Sequence, residues 1–126
     1  MLVAVTENQP KIAMGLMSYI DDFATYADVQ REIQWYHANQ HRQLLLWKDP
    51  MTRHMTAVIG IEEMGQCVLV RLIAFGSEIV PYEQQLVGGE IYGALQNYYP
   101  KAFIMGTIRT QDILRDWETY QIKNLN

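Results

Sequence analysis

The residues best suited to chemistry lie between Cys67 and Tyr99. An apolar run from Cys67 to Phe75 reads as a buried strand, Gly76 and Pro81 interrupt it, and Gln84-Gln85-Leu86-Val87-Gly88-Gly89 then opens a helix reaching about Tyr99. A strand feeding a glycine-bearing turn and a helix start suits a phosphate group. The first N–H groups of a helix are unpaired, and its macrodipole adds partial positive charge at that end. Gly88 and Gly89 fit two roles: close approach of backbone to a phosphate, or close packing of the helix on the sheet. Elsewhere, Cys67 has no flanking cation to activate it and reads as a buried strand thiol. His37 and His41 are four apart, as helical metal pairs are, but no third ligand follows at matching spacing, so no metal site is expected. Trp35, Trp47 and Trp117, with eight tyrosines, supply aromatic area for a planar substrate or, in the simpler reading, for the core.

Composition narrows the field. The 126 residues are 49% hydrophobic and 19% charged, which is the balance of one globular domain, expected to span residues 1–126. A net charge of −4 argues against a nucleic-acid partner, which would need a basic stripe to displace phosphate counterions. It leaves room for a small anionic ligand at a helix terminus. The single cysteine allows no disulfide within the chain, so a reducing cytoplasm is the expected location. No basic-then-apolar leader is evident, and no apolar run approaches the roughly 18 residues of a membrane span, so no membrane partner is expected.

The elements that must position these groups follow from periodicity. Leu2 to Val5 is β-rich and Asn8-Gln9-Pro10 breaks it. Lys11 to Ile20 has helical spacing at Ile12, Leu16, Tyr19 and Ile20, and Asp21-Asp22 ends it. A second helix is expected over Tyr26 to Asn39, with Val29, Ile33, Tyr36 and His37 on one side. Strands are expected over Arg42–Lys48, Thr56–Glu63 and Gln66–Phe75, separated by the turn signals Asp49-Pro50 and Met64-Gly65, so an antiparallel meander results. After the Tyr82–Tyr99 helix and Pro100 come a strand over Lys101–Thr107 and a helix from Thr110, a plausible cap, to about Tyr120. The order β, α, α, β, β, β, α, β, α describes an α+β fold with a mixed central sheet and helices on both faces. The strand–helix–strand unit across Gln66–Thr107 should bring its two strands parallel through a right-handed crossover.

That order resembles the plan of the GNAT family of N-acetyltransferases. Lys11-Ile12-Ala13-Met14-Gly15-Leu16-Met17-Ser18-Tyr19, Arg42-Gln43-Leu44-Leu45-Leu46-Trp47-Lys48, Ala57-Val58-Ile59-Gly60-Ile61-Glu62 and Val70-Arg71-Leu72-Ile73 look like the corresponding stretches of its RibT-like branch, found in riboflavin-biosynthesis operons. The resemblance implies acetyl-CoA as cofactor and a small-molecule amine as acceptor, with a link to riboflavin metabolism. Ile73, Ala74 and Phe75 would hold the pantetheine arm like an added strand. The pyrophosphate would lie on Gln85, Leu86, Val87, Gly88 and Gly89, in a Gln/Arg-x-x-Gly-x-Gly/Ala pattern. One register, Gln85 to Glu90, has a glutamate at the last small position; the other, Glu83 to Gly88, has Leu86 at the first glycine. Dimers are common in the family, so a homodimer is compatible with the chain, although the sequence selects no surface for it.

Acetyl transfer to an amine needs alignment, a proton acceptor for the amine, a proton for the leaving thiolate and N–H groups for the oxyanion. Glu62, beside Glu63 at a strand end, is the candidate base acting through water, or else part of a solvated edge. Many family members use a tyrosine of the last helix as the acid. No tyrosine occurs there before Tyr120, which is therefore the candidate acid if the helix sits differently. The second functional reading is a GNAT-like module without catalysis, acting as a regulatory or partner-binding protein.

Overall fold

A computed structural model of the chain describes residues 1–6, 10–20, 23 and 25–125, with side chains through 122. The described elements are β1 (Leu2–Ala4), α1 (Lys11–Met17), α2 (Tyr26–His37), β2 (Arg42–Lys48), β3 (Met55–Met64) and β4 (Cys67–Phe75). A 3₁₀ turn (Pro81–Glu83) then leads into α3 (Gln84–Tyr98), followed by β5 (Phe103–Gly106) and α4 (Gln111–Leu125). Order and type agree with the sequence reading; the ends shift by a few residues, and α4 runs further than expected. The breaks expected at Asn8-Gln9 and Asp21-Asp22 lie outside the described residues.

The five strands lie in sequence order, β1-β2-β3-β4-β5. Pairing is antiparallel through β4, and β5 joins parallel to β4. Both faces are covered, which is why β2 carries four consecutive buried residues, Leu44 to Trp47, instead of an alternating pattern. Leu45 and Trp47 join Ile59, Ile61, Val68 and Val70 under α3 and α4. Leu44 and Leu46 join Val58, Leu72 and Ala74 under α1 and α2. Each fully buried aliphatic side chain contributes roughly 1.5–3 kcal/mol, and Leu45, Val58, Ile59 and Ile61 have no exposed surface.

Local chemistry sets the joints. The Thr25 hydroxyl accepts from the Asp28 N–H at 3.2 Å and the Asp28 carboxylate accepts from the Thr25 N–H at 3.2 Å, a capping box that starts α2. Val29, Ile33 and Tyr36 then fall on its buried face. Asp49 ties its turn by accepting from Met51 and Thr52 N–H groups at 2.7 and 3.0 Å. Gly65, at φ 63°, supplies the left-handed residue of the β3–β4 hairpin.

Two irregularities matter for function. β4 carries one residue more than β3 at Arg71, because Gly60 faces Leu72 while Ile61 faces Val70. This bulge reverses which odd and even positions face which layer: Val68 and Val70 lie under α3 and α4, whereas Leu72 and Ala74 lie under α1 and α2. The second is the short reach of β5, which pairs only with Cys67 to Val70. Beyond Val70, β4 has no strand partner on that side among the described residues, as far as Phe75.

Candidate active site

A cleft opens where β4 and β5 part. At the fork the Thr110 hydroxyl donates to the Val70 carbonyl at 2.6 Å and accepts from the Thr107 N–H at 2.9 Å. Thr110 is buried, and its hydroxyl thus takes the place of the next bond in the ladder. It stands directly before α4, at the expected cap position, where its carbonyl accepts from the Leu114 N–H at 3.0 Å and its hydroxyl ties the helix start to β4. Gly106 permits the turn, since a Cβ there would stand 2.7 Å from the Gln111 Cα.

The cleft measures about 510 Å³. One wall is the free edge of Ile73, Ala74 and Phe75; the other is α4, through Ile113, Asp116 and Trp117. Pro81, Gln84 and Gln85 bring the start of α3 to it, and Tyr19 stands at its rim. A smaller chamber of about 240 Å³ adjoins it, with Ile20, Ile73 and Ile113 common to both. Among the described residues, Glu32, Arg71 and Arg109 are the ionisable groups of that chamber's lining. A separate groove of about 370 Å³ between α1 and α2 includes no residue of β4 or α4.

Of the residues singled out from sequence, Ile73, Ala74, Phe75 and Gln85 are brought together here. Leu86 is 44% exposed but outside the lining. Val87, Gly88 and Gly89 are buried within α3. The two glycines face α4: a Cβ on Gly88 would overlap the Trp117 indole, and one on Gly89 would stand 3.3 Å from the Gln121 backbone nitrogen. Both lie a full turn into the helix, where N–H groups are committed to intrahelical bonds. The atoms nearest to both glycines thus belong to α4, whereas the packing alternative read from the sequence had the sheet as partner.

Glu62 and Tyr120, the candidate base and acid, both stand outside the lining of the cleft. One Glu62 oxygen is 3.4 Å from Arg42 Nε and the other 3.3 Å from Arg71, and both guanidinium groups lie over the Trp35 ring, at 3.8 and 5.0 Å from its centroid. Each Glu62 oxygen thus has a guanidinium partner, and Glu62 lines neither cavity. Tyr120 packs on Gly89, also away from the cleft. Glu63 accepts from the Tyr99 hydroxyl at 3.2 Å; burial first, and then this carboxylate, raise the Tyr99 pKa.

Below the bulge, the Tyr36 hydroxyl occupies the space a Gly60 side chain would fill, and it has no hydrogen-bond partner. Burial is the main cause of its raised pKa, followed by Glu32. Among the described residues no group of three or more His, Cys, Asp or Glu could hold a metal ion. Among the described residues no helix is long and apolar enough to cross a membrane.

A sheet forked beyond a β4 bulge, with a helix start at the fork, can be compared with solved structures. An aminoglycoside 6′-N-acetyltransferase from Acinetobacter baumannii superposes with a TM-score of 0.64 at 11% identity, covering 95% of this chain and 88% of that one. A GNAT family acetyltransferase from Staphylococcus aureus gives 0.63 at 10%, covering 84% and 83%. A spermidine N-acetyltransferase from Vibrio cholerae, solved with CoA and spermine, gives 0.60 at 9%, covering 95% and 78%. The fold is that of the GNAT acetyltransferases. No protein-family model matches the chain. At these identities the GNAT likeness is one of architecture.

Proposed function

We propose that the protein is an N-acetyltransferase that binds acetyl-CoA in the β4–α4 cleft and passes the acetyl group to a small amine. The observation that carries this reading is the free edge of Ile73 to Phe75, a run of unpaired backbone that an amide-bearing pantetheine arm can join as a strand would. The start of α3, with Gln84 and Gln85 at the cleft, turns its positive dipole end toward the pyrophosphate. Backbone N–H groups of β4 would hold the thioester oxygen as charge develops.

In the reaction the amine nitrogen attacks the thioester carbon, a C–N bond forms, the C–S bond breaks and the thiolate leaves. One proton departs from the amine and one reaches the thiolate. A thiol pKa of about 8.5 makes thiolate release feasible through solvent, without a tyrosine such as Tyr120. Acceptors named for the similar structures are polyamines and aminoglycosides. The RibT-like resemblance adds amines of riboflavin biosynthesis to the first trials and supports a cytosolic setting. A binding module without transfer is the second reading, favoured by Glu62 and Tyr120 lying outside the cleft lining.

Release of free CoA thiol from acetyl-CoA, followed with an amine panel, tests the proposal. Amine-dependent release supports transfer. A thermal shift with acetyl-CoA but no release with any amine supports the module, and neither response overturns both.

A further inference from the structure

The free edge of β4 and the start of α3 are joined by a five-residue loop, residues 76–80. This loop carries the chain from Phe75 to Pro81, and so to Gln84 and Gln85 at the cleft. A shift of the loop therefore changes the distance between the edge and the helix start. Its first residue is fixed by the Gly76 N–H, which donates to the Thr56 carbonyl at 2.8 Å. Ile79 is buried in the core under α3 and α4. Between these two anchors, His54 Nδ1 stands 3.2 and 3.0 Å from the two carboxylate oxygens of Glu78. With a proton on Nδ1, the imidazole donates to that carboxylate. His54 is itself held by an ordered turn between β2 and β3. The Asp49 N–H donates to the His54 carbonyl and the Arg53 N–H to the Asp49 carbonyl, both at 2.9 Å. The His54 N–H donates to the Thr52 hydroxyl at 3.2 Å. Arg53 lies at φ 65°, a left-handed conformation that is costly for a residue with a side chain. The turn retains that strain, and the residue that follows it meets Glu78.

We propose, building on the acetyl-transfer reading, that His54 and Glu78 are positioning residues for the acyl donor. Their contact ties residues 76–80 to the β2–β3 turn. It thereby sets the start of α3 at the distance from the β4 edge that the pantetheine and pyrophosphate of acetyl-CoA span. Neither residue lines the cleft, so both act through the loop. Holding the loop in place before the ligand arrives strengthens binding, because less order has to be imposed on association. The two side chains are 61% and 55% exposed, so the contact is a weak one and its effect on affinity is bounded.

Calorimetric titration of the whole chain with acetyl-CoA at low ionic strength tests this, using His54→Ala, Glu78→Ala and the double variant. Charge alone and tethering predict different signs. Acetyl-CoA is an anion, so removal of the Glu78 carboxylate, acting through its charge alone, would leave binding unchanged or tighten it. The tether predicts that each single variant weakens acetyl-CoA binding about 3- to 5-fold. The double variant should lose no more than the worse of the two singles, because all three lose the same contact. The urea midpoint should stay at the wild-type value in all three, since an exposed pair contributes little to global stability. Unchanged or tighter binding by Glu78→Ala would overturn the proposal. So would a double variant whose loss equals the product of the two single losses, or a loss of affinity matched by a fall in the urea midpoint. Failure of the wild-type chain to bind acetyl-CoA is a separate result, which overturns the acetyl-transfer reading and the tether's role with it.

Discussion

Strand β4 behaves as two strands joined at Arg71. From Cys67 to Val70 it is paired on both edges, by β3 and by β5. From Ile73 to Phe75 it is paired on one edge and faces a cleft on the other. The first half has the requirements of a core, and the second has those of a binding edge. One inserted residue and one hydroxyl make the difference: the bulge re-aims the chain, and Thr110 satisfies the last carbonyl of the closed half. An open strand edge ordinarily invites pairing with another chain. A cleft walled by α4 restricts that pairing to something as narrow as an extended ligand.

The largest disturbance to this contrast should come from the wall of the open half. Gly88→Leu forces a side chain into the Trp117 indole, which lines the cleft. Overpacking of this kind costs about 3 kcal/mol or more, so urea unfolding should show a large loss of stability, with acetyl-CoA binding lost in parallel. Loss of binding at unchanged stability would instead assign Gly88 to the ligand.

Deletion of Arg71 comes next. Without it, Cys67 to Phe75 alternates without a break, since Leu72 and Ala74 would keep their layer. The shortened chain is expected to fold, close the fork and bind acetyl-CoA about 100-fold more weakly, or some 2.7 kcal/mol. Retained affinity in a folded deletion variant would break the comparison.

A paired substitution sharpens it. Val70→Ala in the closed half should cost about 2 kcal/mol of stability through the cavity it leaves, with ligand affinity unaltered. Ile73→Ala in the open half should cost less stability, about 1 kcal/mol, and weaken acetyl-CoA binding roughly 10-fold. Equal effects of the two on both measurements would erase the distinction.

The smallest effect concerns the packing beneath the bulge. Tyr36→Phe removes a buried hydroxyl that has no partner, so stability at neutral pH should rise by up to about 1 kcal/mol. The phenol pKa is raised above 10.0 in the folded protein, chiefly by burial. The native protein therefore holds its proton after the unfolded chain has begun to lose it. Stability is full below about pH 10 and falls as pH climbs beyond it, and Tyr36→Phe should show a shallower fall in urea titrations across that range.

Much of the fold was legible because its elements obey simple periods. Arg42 to Lys48 was bounded correctly by its apolar run, and the parallel pairing of β4 with β5 followed from the intervening helix. The bulge was not read, although a charged residue, Arg71, inside an otherwise apolar strand was its signal. Gly88 and Gly89 drew attention as phosphate-approach residues, because a glycine in a helix looks the same in sequence whether a ligand or another helix lies against it. Glu62 looked like a free carboxylate because its partners, Arg42 and Arg71, are distant in sequence and meet it only across the sheet. Glu32 and Thr110 drew no notice as site residues, since one sits on an ordinary helix and the other looked like a cap.

The central claim is that the open half of β4 is a binding edge for acyl-CoA. Calorimetric titration of the intact protein with acetyl-CoA tests it most directly. The account predicts one site per chain with a dissociation constant in the micromolar range, about −8 kcal/mol. The absence of heat and of any thermal shift at about 1 mM acetyl-CoA would contradict it.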